Sequence, residues 1–126
     1  MYRPVVAVDL DGVLAKYTGF VGPEHIEEPN QGAEKFLRML SEKYEVVVYT
    51  ARYTYVAKKW LDDWNLSQYV TDVNFCRING SGGKPVAIAY VDDRAVRFMG
   101  SFELALLDID RLAAENVRKD TSKERR

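Results

Sequence analysis

The run Val5-Val6-Ala7-Val8 ends in Asp9-Leu10-Asp11-Gly12, and this junction constrains the fold more than any other stretch of the chain. Four small or β-branched apolar residues in succession read as a strand buried on both faces, as strands of a parallel sheet are. Where such a strand ends, its first carboxylates meet solvent. In an open α/β sheet that end is also where the ligand crevice lies. Gly12 gives the backbone freedom to turn there. Asp9 and Asp11 are therefore the first candidate functional residues.

The rest of the chain repeats the pattern. Gln31 to Lys43 carries Ala33, Phe36, Leu37, Met39 and Leu40 at helical spacing, and Glu45 to Tyr49 reads as a second buried strand ending at Thr50-Ala51-Arg52. Tyr53 to Leu66 places Val56, Trp60, Leu61 and Trp64 on one helical stripe. Val70 to Arg77 is expected to hold a short third strand, and Val86 to Val91 a further strand ending at Asp92-Asp93. Ser101 to Arg118 is a last helical pattern. Strands alternating with helices predict an α/β fold, a three-layer Rossmann-like core with a mostly parallel sheet and right-handed crossovers. All strand C-ends then share one edge, where Asp9, Asp11, Thr50, Arg52, Asp92 and Asp93 converge, with Lys84 entering from the loop before the last strand.

At 126 residues the chain is long enough for one domain. Residues 1–118 are expected to form it, with 15–29 as a flap-like insertion rich in glycine and proline and 119–126 as a charged, fraying tail. A net charge of -1 argues against a general nucleic-acid binder. No apolar run approaches the ~18 residues needed to span a bilayer and no export signal is visible, so the expectation is a soluble, cytoplasmic protein. Cys76 is the single cysteine and reads as a small apolar strand residue.

Charge argues the chemistry. Several carboxylates in one crevice repel and raise each other's pKa unless cations offset them, so a metal is expected. Oxygen ligands without histidine or cysteine suit Mg²⁺, which takes a few carboxylates, waters and phosphate oxygens. Thr50, Lys84 and the backbone amides after Asp9 would hold a phosphoryl group, whose transfer needs positioning and charge neutralisation above all. An ionised aspartate can attack phosphorus, and a second acid two residues on can protonate the leaving alcohol and then activate water.

Asp9-Leu10-Asp11-Gly12-Val13-Leu14, the strand-terminal Thr50, Lys84-Pro85 and Tyr90-Val91-Asp92-Asp93, in that order, resemble the four motifs of the haloacid dehalogenase superfamily of phosphatases. The resemblance spans Val5 to about Arg97. It implies Asp9 as nucleophile, Asp11 as general acid/base, Thr50 and Lys84 as phosphate ligands, and Asp92 and Asp93 as Mg²⁺ anchors beside the Asp9 side chain and the Asp11 carbonyl. An acid at the second position is what the phosphatases of that superfamily use, so dehalogenation is disfavoured. Neither gap between motifs holds a full cap domain. An open site favours a large substrate or an oligomer whose neighbour serves as lid. Thr50-Ala51-Arg52 and Asp92-Asp93-Arg94 are also similar to the phosphatase domain of polynucleotide kinase-phosphatase enzymes, which makes a 3′-phosphorylated nucleic acid a minority alternative to a phosphorylated small molecule or nucleotide.

Bland readings stand beside these. Thr50 can be the N-cap of the next helix, and Arg52 is as well explained by an ion pair as by a phosphate contact. Arg94 and Arg97 lean to structural roles. Asp108-Ile109-Asp110 and Asp62-Asp63 copy the acidic motifs on helices and are expected to be solvated. His25 is expected at the surface, and Tyr17, Phe20 and Tyr53 are candidates for an aromatic rim. The expected activity is Mg²⁺-dependent phosphomonoester hydrolysis through an aspartyl-phosphate. The competing expectation is a phosphate- and Mg²⁺-dependent binding or regulatory module with little turnover.

Overall fold

In a computed structural model, residues 3–76 and 83–122 are described, and they form an α/β fold. Four parallel strands, β1 (Val5–Asp9), β2 (Glu45–Tyr49), β3 (Asp72–Val73) and β4 (Ala89–Val91), lie in the order β3-β2-β1-β4. The flanking helices are α1 (Ala33–Ser41), α2 (Thr54–Asp63) and α3 (Phe102–Ser122). The architecture is that of a Rossmann-like three-layer core.

Alternation along the strands sets the layers. Val6 and Val8 of β1, and Val46 and Val48 of β2, face the same way and bury against Ala33 and Leu37 of α1 and Ala57, Trp60 and Leu61 of α2. Both crossover helices cover this face because β1, β2 and β3 advance in one direction and each connection is right-handed. Val5 and Val47 face the other way, with Cys76 and Ala87 against them. Because β4 joins β1 on the side away from β2, the chain reverses direction at β1. Such a switch point opens a crevice at the C-terminal strand ends.

Several element boundaries differ from the expectation. α1 starts at Ala33, since Gly32 is in the left-handed region at φ +90° and cannot continue a helix backwards to Gln31. The second helix starts at Thr54 because Tyr53 is extended, and it ends before Asn65, which is itself left-handed at φ +57°. β3 and β4 are shorter than Val70 to Arg77 and Val86 to Val91; Arg77 lies outside the described residues. α3 continues through Ser122, so Lys119 to Ser122 are helical rather than a frayed tail, and 123–126 lie outside the described residues.

The 15–29 insertion is folded down rather than free. Ala15 bridges both Asp11 and Pro29, Lys16 N–H donates to the Glu28 carbonyl at 2.9 Å, and Asn30 Nδ2 donates to the Val13 carbonyl at 2.8 Å, which closes the loop at its base. Trp60 Nε1 donates to the Glu27 carbonyl at 2.8 Å and ties the returning limb to α2. No described helix is long and apolar enough to cross a membrane.

Candidate active site

β1 ends by presenting Asp9, whose Oδ1 accepts the Leu10 amide at 2.8 Å. β4 ends in Asp92-Asp93, and the ligand atoms of Asp9, Asp92 and Asp93 all lie within 4.8 Å of one another. This acidic triad could hold a metal, and three carboxylates without nitrogen or sulfur donors fit a hard divalent cation. Gly12 is required beside it. Its φ is +86°, and a Cβ there would overlap the Asp93 carboxylate.

Asp92 is fixed from both sides. Tyr49 Oη donates to one carboxylate oxygen at 2.5 Å and the Arg94 amide donates to the other at 2.7 Å. Burial, then the Asp92 carboxylate beside it, hold the Tyr49 hydroxyl far above the usual tyrosine range, so it remains a donor. Asp9 bears the electrostatic cost. Burial is the largest cause and the Asp92, Asp93 and Asp11 charges add to it, against the lowering effect of the Leu10 amide, and its pKa rises from 3.8 to about 7.

Asp11 stands apart from the triad. Arg52 clamps it in bidentate fashion, Nε to Oδ2 at 2.8 Å and Nη2 to Oδ1 at 3.1 Å, and the arginine side chain is only 8% exposed. Arg52 Nη1 also donates to the Gly22 and Pro23 carbonyls, both at 3.0 Å, pinning the tip of the insertion over the site. The ion-pair reading of Arg52 is thus the one seen. Thr50 does not cap α2, whose N-cap is Tyr53; its hydroxyl accepts the Arg52 amide at 3.1 Å and tightens the turn leaving β2.

A cavity of about 620 Å³ opens at this edge. Asp9, Asp11, Thr50, Ala51 and Arg52 line it on the sheet side, and Tyr17, Phe20 and Tyr53 give it an aromatic wall. Phe20 lies under the Arg52 guanidinium at 5.9 Å and Tyr17 under that of Arg94 at 5.4 Å. Lys84 is not among the lining residues. Its Nζ sits 4.6 Å from the Tyr90 ring centre, and Tyr90 in turn meets Tyr49 edge-on. His25 is exposed and lines a separate shallow groove with Trp60 and Trp64. Asp62, Asp63 and Asp110 are exposed and Asp108 is half-buried on the helices, away from the triad.

Three contributors carry no sequence signal of their own. Asn74, left-handed at φ +58°, accepts the Thr50 amide at 2.8 Å and donates to Thr54 Oγ1 at 3.1 Å, which shapes the Thr50–Thr54 loop from the end of β3. Tyr49 is visible only as a strand residue. Asp120, near the C-terminal end of α3, reaches the cavity from 103 positions beyond Tyr17, accepts its hydroxyl at 2.7 Å and pairs with Arg94 at 2.8 Å. The Arg94 hydrogen bond lowers the Asp120 pKa, whereas burial first and Asp120 second push the Tyr17 hydroxyl up to about 12.

No family model matches this chain, and no curated protein does. Among solved structures it is similar to a conserved protein from Bacteroides thetaiotaomicron, at 21% identity and a TM-score of 0.57, over 87% of this chain and 92% of that one. At that identity the likeness concerns the fold alone.

Proposed function

We propose that this chain is a Mg²⁺-dependent phosphomonoester hydrolase that works through an aspartyl-phosphate on Asp9. The observation that carries the reading is that one partly buried carboxylate, Asp9, belongs both to the acidic triad and to the sheet-side wall of an open cavity, beside Asp11 and the Thr50 loop. Asp9, Asp92 and Asp93 would hold the cation, which when bound offsets the carboxylate charge and that of the phosphoryl oxygens. Asp9 then presents its free oxygen to phosphorus as nucleophile. The Thr50 turn borders the same cavity and offers a hydroxyl to a phosphoryl oxygen. Asp11 is the group two residues on that can give the leaving oxygen a proton and later take one from water.

The bidentate Arg52 clamp adds a condition. Both Asp11 oxygens are engaged, so Asp11 must turn partly from Arg52 to serve as an acid, and an incoming phosphate is the anion able to take its place. The same observation is what favours the second reading, a phosphate-binding module in which the pair stays closed. The aromatic wall and the cavity size suit a phosphorylated metabolite or nucleotide.

Phosphate release from a panel of sugar phosphates, nucleotides and 3′-phosphorylated oligonucleotides decides between the readings. Hydrolysis that needs Mg²⁺, stops with chelator and is absent in Asp9→Asn is the expected result. Binding of the same compounds with no release from any of them would replace the hydrolase with the binding module.

A further inference from the structure

Two arginines line the cavity, and each is closed on an aspartate over an aromatic ring. Arg52 holds Asp11 over Phe20, and Arg94 holds Asp120 over Tyr17. The proposed phosphoryl chemistry uses the first pair and leaves the second without a task. Arg94 Nη1 donates to Asp120 Oδ2 at 2.9 Å, Nη2 donates to Oδ1 at 2.8 Å, and the Tyr17 hydroxyl adds a third bond to Oδ1 at 2.7 Å. A two-pronged guanidinium with a further donor beside it is how proteins take hold of carboxylate and phosphate groups.

We infer that Arg94 and Tyr17 form a second anion subsite of the cavity, filled in the free chain by its own Asp120, and that the ligand is a phosphate monoester carrying a further carboxylate or phosphate group. The inference rests on the proposed function for the phosphoryl end of that ligand. Position is the first argument. Arg94 directly follows Asp92-Asp93, and its amide is bonded to the Asp92 carboxylate. The guanidinium is thus tethered to the strand end that carries two members of the acidic triad. Because Arg94 and Tyr17 line the same cavity as Asp9 and Asp11, a ligand with its phosphoryl group at Asp9 can reach them without leaving it.

Release is the second. The Arg94 and Asp120 side chains are 39% and 42% exposed, and a pair so open to water adds little to stability. From Phe102 to Asp120 no residue of α3 is buried, so its last turn can swing aside without uncovering core. Charge is the third. Once Asp120 leaves, Arg94 stands unbalanced, and the second anion of the ligand restores the balance.

Isothermal titration calorimetry with Mg²⁺ present tests the inference. Alkyl phosphonates are the probes with one anion; ω-carboxyalkyl phosphonates and alkane bisphosphonates of matching chain length are the probes with two. None has an ester bond to hydrolyse, so binding is read apart from turnover. In the native chain the best two-anion probe is expected to bind about fivefold more tightly than its alkyl counterpart, and in Asp120→Ala, with the subsite emptied, about fiftyfold. Arg94→Met keeps the side-chain stem and the backbone amide and should reduce the ratio to about two or less. Tyr17→Phe changes no charge and should lower it about threefold, which a mere change of net charge would not do. A structural ion pair is broken alike by Asp120→Ala and Arg94→Met, whereas a filled subsite responds to them in opposite directions.

Alkyl phosphonates that bind with no gain from a second anion in the native chain or in Asp120→Ala, or a gain that survives Arg94→Met, overturn the inference and leave the phosphoryl site standing. Absence of binding by every probe overturns both. A gain that follows Arg94 and Tyr17, with no phosphate released from the matching esters, supports the subsite and removes only the hydrolase. If circular dichroism shows that Asp120→Ala does not fold, the ratios in the native chain, Arg94→Met and Tyr17→Phe decide.

Discussion

At the scale of single residues, Gly12 and Arg52 carry requirements that their neighbours do not. Any side chain at position 12 meets the Asp93 carboxylate and a backbone at φ +86°. Gly12→Ala is expected to cost about 1–3 kcal/mol and to weaken divalent-cation binding, both measurable by thermal unfolding with and without metal. Arg52→Ala would leave Asp11 without its partner and free the tip of the insertion from the Gly22 and Pro23 carbonyls. A loss of about 3 kcal/mol is expected, to be read from urea unfolding. Arg52→Lys should restore little, since a point charge cannot reproduce a two-pronged contact while also reaching two carbonyls.

At the scale of elements, the insertion and the loop after β2 depend on side chains from other elements. Trp60→Phe keeps the apolar body in the core but removes the bond to the Glu27 carbonyl. The expected cost is about 1 kcal/mol, with faster amide exchange in residues 15–29 and little change in α2. What was legible in the sequence follows the same division. β1 and β2 were readable because their apolar runs are buried, and α1 and α2 through Ala33, Leu37, Val56, Trp60 and Leu61, although Phe36, Met39 and Trp64 of the same patterns are exposed; Asp9, Asp92 and Asp93 were readable because they end strands. Lys84 was expected beside the cavity, yet it lies over Tyr90. Thr50 was readable as a strand end but not as a partner of Asn74, whose role depends on β3 pairing with β2. Asp120 was invisible for a plain reason: no local pattern tells that a residue 103 positions beyond Tyr17 and 26 beyond Arg94 will meet both.

For the whole molecule, the acidic triad links stability to pH and, on the proposed function, to metal. Asp9 titrates near pH 3.8 in the unfolded chain and near 7 in the folded one, so the folded state holds an extra proton between those values. Its ionisation therefore costs stability progressively as pH rises from about 4 to 7, about 1–2 kcal/mol once solvent screening is allowed for. Without metal, Asp9→Asn should melt higher than the native chain at pH 8 and differ little at pH 4. A divalent cation reverses the cost only where Asp9 is ionised, so added Mg²⁺ should raise the native melting temperature more at pH 8 than at pH 5 and barely move that of Asp9→Asn. The most direct test of the proposed chemistry is to quench the chain during turnover and reduce it with borohydride, which converts an aspartyl-phosphate to homoserine. Homoserine at position 9, found by peptide mass spectrometry only when substrate and Mg²⁺ are both present, is the predicted result. Phosphate release by Asp9→Asn at the native rate, with no homoserine at position 9 in the native chain, would contradict it.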